Sequence, residues 1–168
     1  MIPDIEFPRP VRAHEIGGQV RRHALEANEA ERFALAARFS LLALDSLTAA
    51  VETKREAGGI RITGSFRARG SQPCVATGDP VPFLITEPIA LLLTEAGPDG
   101  TEIELAAPDL DTEPLVGDVV DLGEITAQAL ALALDPYPRS TSPAPGVLTE
   151  EQAQAAASPF AILKKPQA

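Results

Sequence analysis

The only cysteine of the chain, Cys74, stands in "SQPCVATGDPVPF" (71–83), with the turn formers Gly78, Asp79 and Pro80 close behind it. A thiol at such a place has three uses: nucleophile, one ligand of a metal site, or small apolar filler. A nucleophile needs a neighbouring base. The chain has two histidines, His14 and His23, and neither is near Cys74 in sequence. A tetrahedral metal site needs three further ligands, and a single cysteine rules out both an all-cysteine zinc site and an intramolecular disulfide. Free cysteine is among the most buried residue types. The expectation is therefore a buried or half-buried structural thiol, with no catalytic residue, no metal and no cofactor.

Two charged groups could also do chemistry. In "IRITGSFRAR" the apolar residues Ile60, Ile62, Phe66 and Ala68 alternate with Arg61, Thr63, Ser65, Arg67 and Arg69. Period two places Arg61, Arg67 and Arg69 on one strand face, with Lys54 and Arg55 as candidates to join it across a hairpin. Guanidinium forks suit phosphate, so this is a candidate RNA or partner face; the alternative is an ordinary solvated face. It holds no aromatic residue on which bases could stack, which argues against sequence-specific reading of single strands. The second group is acidic. Glu95–Glu124 contains ten carboxylates and no Lys or Arg, and Asp109, Asp111 and Glu113 make a candidate surface for a basic partner. Its alternative is an acidic solvated loop.

The elements that must position these groups follow from periodicity and punctuation. "IEFPRPVRA" (5–13) reads as an extended edge segment, because Pro8 and Pro10 cannot donate to a ladder. "ANEAERFALAARF" (27–39) reads as a helix capped by Asn28, with Glu31 completing a capping box and Phe33, Ala34 and Ala37 on one face. Segments 46–56 and 60–69 form a hairpin about Gly58 and Gly59. Residues 81–95 form a third strand, with Pro88 at a bulge or an edge. A turn at 97–100 leads to a short strand "TEIEL", and 107–118 has no period and reads as a loop. "VVDLGEITAQALALALDPYP" reads as a helix capped by Asp121 with Glu124 as capping-box partner, ending before Pro136. Its expected stripe is Ile125, Ala129 and Leu132, widened by Leu130 and Leu134.

The 168 residues suit one domain with tails. Residues 1–136 form that domain. Residues 137–168 form a linker by composition, a helix start at Thr149–Gln152 and a short docking helix "SPFAILKK", in which Pro159 takes the first helical position and Phe160 and Leu163 are the anchors. Net charge is −10 and uneven: residues 78–168 hold fifteen acidic and three basic side chains. Such a molecule approaches nucleic acid against a long-range repulsion unless a local basic face turns toward it. No basic-then-apolar leader and no long apolar run is visible, so the expectation is a soluble cytoplasmic protein without membrane or DNA as partner. The fold class expected is α+β: an antiparallel, curved or barrel-like sheet with two or three packed helices and a flexible C-terminal segment.

Three segments, in order, add a resemblance: "GSFRARGSQPCVATGDPVPFLITEPIALLL", "DLGEITAQALALALDPYPRS" and "SPFAILKK". Together with "FPRPVRAHEI" and "EANEAERFALAARFSLLALDSLTA" they resemble the large ribosomal RNA subunit accumulation protein family, the YceD family, in its alphaproteobacterial form. The matching motif residues are Gly64, Cys74, Pro80, Glu124, Leu134 and Pro136. Many members carry a second cysteine three residues after the first; here that place is Thr77, which removes the metal-capable pair. The resemblance implies a non-enzymatic factor in ribosome biogenesis, needed for synthesis, processing or stability of 23S rRNA. Its partner is the large-subunit precursor, reached through an assembly protein or directly through rRNA. The alternative is an acidic adaptor that binds a basic ribosomal protein or assembly factor.

Overall fold

The computed structural model describes residues 5–94 and 111–141. In chain order these form strand β1 (Pro10–Arg12), a 3-10 turn (Ala13–Glu15), β2 (Arg21–Glu26), helix α1 (Glu29–Arg38), β3 (Ala43–Glu56), β4 (Gly59–Pro73), β5 (Pro80–Thr94), β6 (Asp111–Pro114), β7 (Val119–Asp121) and helix α2 (Leu122–Ala133). The fold is α+β. One sheet has the order β2-β3-β4-β5-β6, and β1 pairs with β7 in a separate ribbon. The five-stranded sheet is open, so the barrel-like alternative does not hold. All of its pairs are antiparallel except β5–β6.

The meander β3–β4–β5 follows the period-two pattern of the sequence. Leu47, Ala49, Val51, Ile60, Ile62, Phe66, Ala68, Ile89, Leu91 and Leu93 are buried on one face, here called the inner face. The β3–β4 hairpin turns through Ala57 and Gly58, and Glu56 faces Gly59 across it. Gly64 lies on the inner face between Val51 and Ile89, and a Cβ there would fall on the Ala50 carbonyl oxygen. Only glycine lets the neighbouring strand come so close. Pro88 keeps register opposite Ser65, and among the described residues β5 has no second neighbour until Leu91. It is the edge, rather than a bulge, that accommodates the missing N–H.

Both helices start as the sequence indicates. Asn28 and Glu31 form the reciprocal capping box of α1. Asp121 Oδ1 accepts from the N–H groups of Gly123 (2.9 Å) and Glu124 (3.0 Å) at the start of α2. Their faces differ from expectation. α1 buries Leu35 and Ala36, while Phe33 is 79 % exposed. Glu31, gripped by Arg9 and Asn28, fixes the rotation of that helix. α2 buries Leu122, Thr126, Ala127 and Leu130, and Leu132 is 88 % exposed. Thr126 can be buried because its hydroxyl donates to the Leu122 carbonyl at 2.8 Å. Glu124 does not close a capping box: its carboxylate takes both terminal nitrogens of Arg38 at 2.8 Å. Two charge-assisted bonds outweigh one bond to a backbone N–H.

Three strands have no sequence expectation; β7 falls at the head of the segment that reads as helix α2. β2, "RRHALE", has no β-branched residue and buries only Leu25 fully. β6 falls in the stretch 107–118 read as a loop. It pairs Asp111 with Leu91 and Glu113 with Leu93. The expected strand "TEIEL" and the C-terminal elements at 149–152 and 158–165, with Pro159, Phe160 and Leu163, lie outside the described residues. No described helix is long and apolar enough to cross a membrane.

Candidate functional site

Cys74 ends the loop entry from β4 and is 5 % exposed, as a structural thiol should be. Its N–H donates to the Asp79 carbonyl (2.8 Å), and the Gly78 N–H donates back to the Cys74 carbonyl (2.9 Å). Gly78 has φ +77°, which closes the turn before Pro80 opens β5. Thr77 donates its hydroxyl to Asp79 Oδ2 at 2.8 Å. The sulfur is not inert. The Ser140 N–H donates to Sγ at 3.3 Å. That bond, with the Thr77 hydroxyl and the N–H groups of Ala76 and Thr77, pulls the thiol down to about 6. The same turn holds Pro138, whose carbonyl accepts from the Val75 N–H at 2.9 Å. The chain thus stays fastened to the domain through Ser140, past the boundary at 136 that composition suggested.

Neither histidine bonds to the sulfur. His14 Nδ1 lies 2.7 Å from Asp118 Oδ2, and His23 Nε2 lies 3.0 Å from Thr53 Oγ1. Burial, with the nearby charge of Arg21, lowers the pKa of His23. Among the described residues no three His, Cys, Asp or Glu side chains are placed to hold a metal ion.

The remaining motif positions also have structural roles. Glu124, held well below the usual carboxylate range by the Arg38 guanidinium, ties α2 to the end of α1. Arg38 also reaches Glu6 at 2.9 Å. Leu134 caps α2, donating its N–H to the Leu130 carbonyl, and packs against the core. Pro136 is exposed just beyond. Gly123, not singled out from sequence, has no room for a Cβ because the Phe7 carbonyl lies against it.

The outer face of the sheet does bring Arg61, Arg67 and Arg69 together on β4. The cross-strand neighbours alter its charge. Arg61 Nε pairs with Glu56 at 2.8 Å, and Lys54 reaches the same carboxylate at 3.2 Å. Arg69 faces Asp45 at 3.7 Å, and Arg22 pairs with Glu52 at 2.8 Å. Arg67 lies between Thr48 and Thr86, and among the described residues it makes no ion pair. Arg55 does not join this face. It points inward and donates to the carbonyls of Ala13 and Ile16.

The acidic candidates lie on the other side. Asp111 and Glu113 are exposed on β6 and share the inner side with their partners Leu91 and Leu93. Glu87, two steps before Ile89 on β5, points the same way. These three carboxylates line a groove of about 440 Å³ between β5 and α2. Asp109 lies outside the described residues. Sequence reasoning missed the groove because Glu87 and the exposed stripe of α2 are far apart along the chain.

Comparison with family models, with curated proteins and with solved structures finds no match.

Proposed function

We propose that the chain is a non-enzymatic factor in ribosome biogenesis, needed for accumulation of 23S rRNA, and that it works through a basic protein partner. The resemblance of its motifs, in order over nearly the whole chain, supports the first part. One observation carries the second: the arginines of the outer face are largely matched by carboxylates of the same face, while Glu87, Asp111 and Glu113 have no cation opposite them among the described residues. Neutralised arginines offer little to a polyphosphate, and an uncompensated acidic edge attracts cations. The partner of the reading is a basic ribosomal protein or assembly factor on the large-subunit precursor in the cytoplasm.

The test is genetic and quantitative. A strain lacking the protein should show a lowered ratio of mature 23S to 16S rRNA, restored by the wild-type chain. Replacing Arg61, Arg67 and Arg69 together by Gln should still restore it. An unchanged ratio in the deletion strain overturns the functional reading, and failure of the triple Gln variant to rescue returns the contact to rRNA.

A further inference from the structure

The side of α2 that borders β5 carries Ile125, Ala129 and Leu132, spaced by four and three residues on one stripe that runs from the margin of the core out to solvent. Ile125 and Ala129 are half-buried, and Leu132 is almost fully exposed. With Ile89 of β5 they make the apolar floor of the groove. Its rim carries Glu87, Asp111, Glu113 and Gln128, and among the described residues no lysine or arginine lines it. An apolar floor with a single-sign rim specifies an occupant that is apolar on one side and cationic on the other.

The backbone decides the shape of that occupant. An added strand would need donors along the edge of β5 that no described residue pairs with, but Pro80, Pro82 and Pro88 remove three of them, and Pro114 ends β6. A helix needs no such donors and can lay an i, i+3, i+4 apolar face beside the matching stripe of α2. The neighbouring segment 95–110 is a poor occupant by composition, since it holds five carboxylates and no lysine or arginine. We infer that the groove between α2 and β5 docks a basic amphipathic helix of a partner protein, its apolar side chains on Ile125, Ala129 and Leu132 and its Lys or Arg side chains over Glu87, Asp111 and Glu113. This inference names the partner chemistry for the protein-contact reading above and rests on it.

The experiment titrates the full-length chain into a fluorescein-labelled synthetic peptide of leucine and lysine, about five helical turns long, with its leucines on one face. A scrambled isomer of identical composition is the control. Fluorescence anisotropy should show saturable binding that weakens with salt. Affinity should fall about tenfold or more for Leu132→Asp, for Glu87→Lys with Glu113→Lys, and for the scrambled isomer. Circular dichroism checks that the variants fold, which the exposure of these side chains favours. Equal binding of the isomer, or wild-type affinity in Leu132→Asp, overturns the inference. So does binding seen only after residues 158–168 are removed, which would assign the groove to the chain's own C-terminus. The 23S to 16S ratio is an independent readout: lost peptide binding with a lowered ratio in the deletion strain rejects the groove alone, and intact peptide binding with an unchanged ratio rejects the ribosomal reading alone.

Discussion

The two faces of the five-stranded sheet carry charge in opposite ways. On the outer face Arg22, Lys54, Arg61 and Arg69 each have a carboxylate within 4 Å, from Glu52, Glu56 or Asp45. On the inner side, at the β5–α2 margin, Glu87, Asp111 and Glu113 line apolar surface with no cation among the lining residues. Reading β4 alone gives three arginines on one face and suggests a phosphate surface. Reading the strands beside it gives a face close to neutral. Charge on a sheet belongs to cross-strand rows, and register decides which side chains share a row.

The strongest way to break this contrast is to disturb the backbone that separates the faces. Gly64→Ala puts a methyl group against the Ala50 carbonyl in the middle of the β3–β4 pair. Urea unfolding should show a loss of roughly 3 kcal/mol or more, in the range of severe overpacking. A loss below about 0.5 kcal/mol would mean that the strands separate easily there.

The next effect sharpens the role of ion pairs inside the fold, as against those on its outer face. Arg38 joins Glu124 of α2 and Glu6 of the N-terminal segment. Arg38→Ala should cost about 1–2 kcal/mol, because the Glu124 contact is bidentate and only partly exposed. The sign with pH follows. The Arg38 bond holds Glu124, and the Arg9 bond holds Glu31, below the ordinary carboxylate range. Their stabilisation is complete above the unfolded value near 4.3 and is lost as pH falls through the lower folded values. Glu124→Gln should flatten the acid limb of stability against pH, and an unaltered limb would remove Glu124 from the account.

An effect confined to alkaline pH concerns Cys74. Its sulfur accepts from the Ser140 N–H, and its pKa falls to about 6. Thiolate absorbance near 240 nm should titrate with a midpoint near 6 in the folded chain and near 8.5 after unfolding. The folded value is the depressed one, so its contribution is present above the unfolded value and disappears as pH falls through the folded one. The melting temperatures of wild type and Cys74→Ala should therefore diverge as pH rises from 6 to 9. A folded midpoint that stays at the unfolded value would show that the Ser140 contact does not form in solution.

The smallest expected effect is on the outer face. Arg67→Gln should change stability by less than about 0.5 kcal/mol, since its side chain is exposed and makes no ion pair among the described residues. Glutamine is the better probe at Arg61 and Arg69 too. Glutamate there would add a like charge beside Glu56 or Asp45 and confuse a lost contact with a new repulsion.

Much of the scaffold was legible because its signals are local. Alternation in Leu47–Val51, Ile60–Ala68 and Ile85–Leu93 marked the meander, since successive strand residues point to opposite faces. Asn28 with Glu31, and Asp121 before Gly123, marked the helix starts, since a cap satisfies N–H groups two or three residues away. The helix faces were not legible. α2 is apolar nearly all round, so its period does not choose between Leu130 and Leu132. In α1 the expected face is Phe33, Ala34 and Ala37, but the buried residues are Leu35 and Ala36.

The sequence by itself determined the meander, both helix starts and a hairpin within one residue of its expected turn at Gly58–Gly59, because each depends on residues within a turn or two. The tertiary structure alone decided what those residues do. It placed β2 beside β3 and Asp111–Pro114 beside β5, drew Ser140 onto the Cys74 sulfur, matched Arg61 to Glu56 and Arg69 to Asp45, and opened the groove against Leu132. All but the Arg61–Glu56 pair join residues twenty or more positions apart. Strand register and helix rotation, both set by how the core packs, fix which distant groups meet.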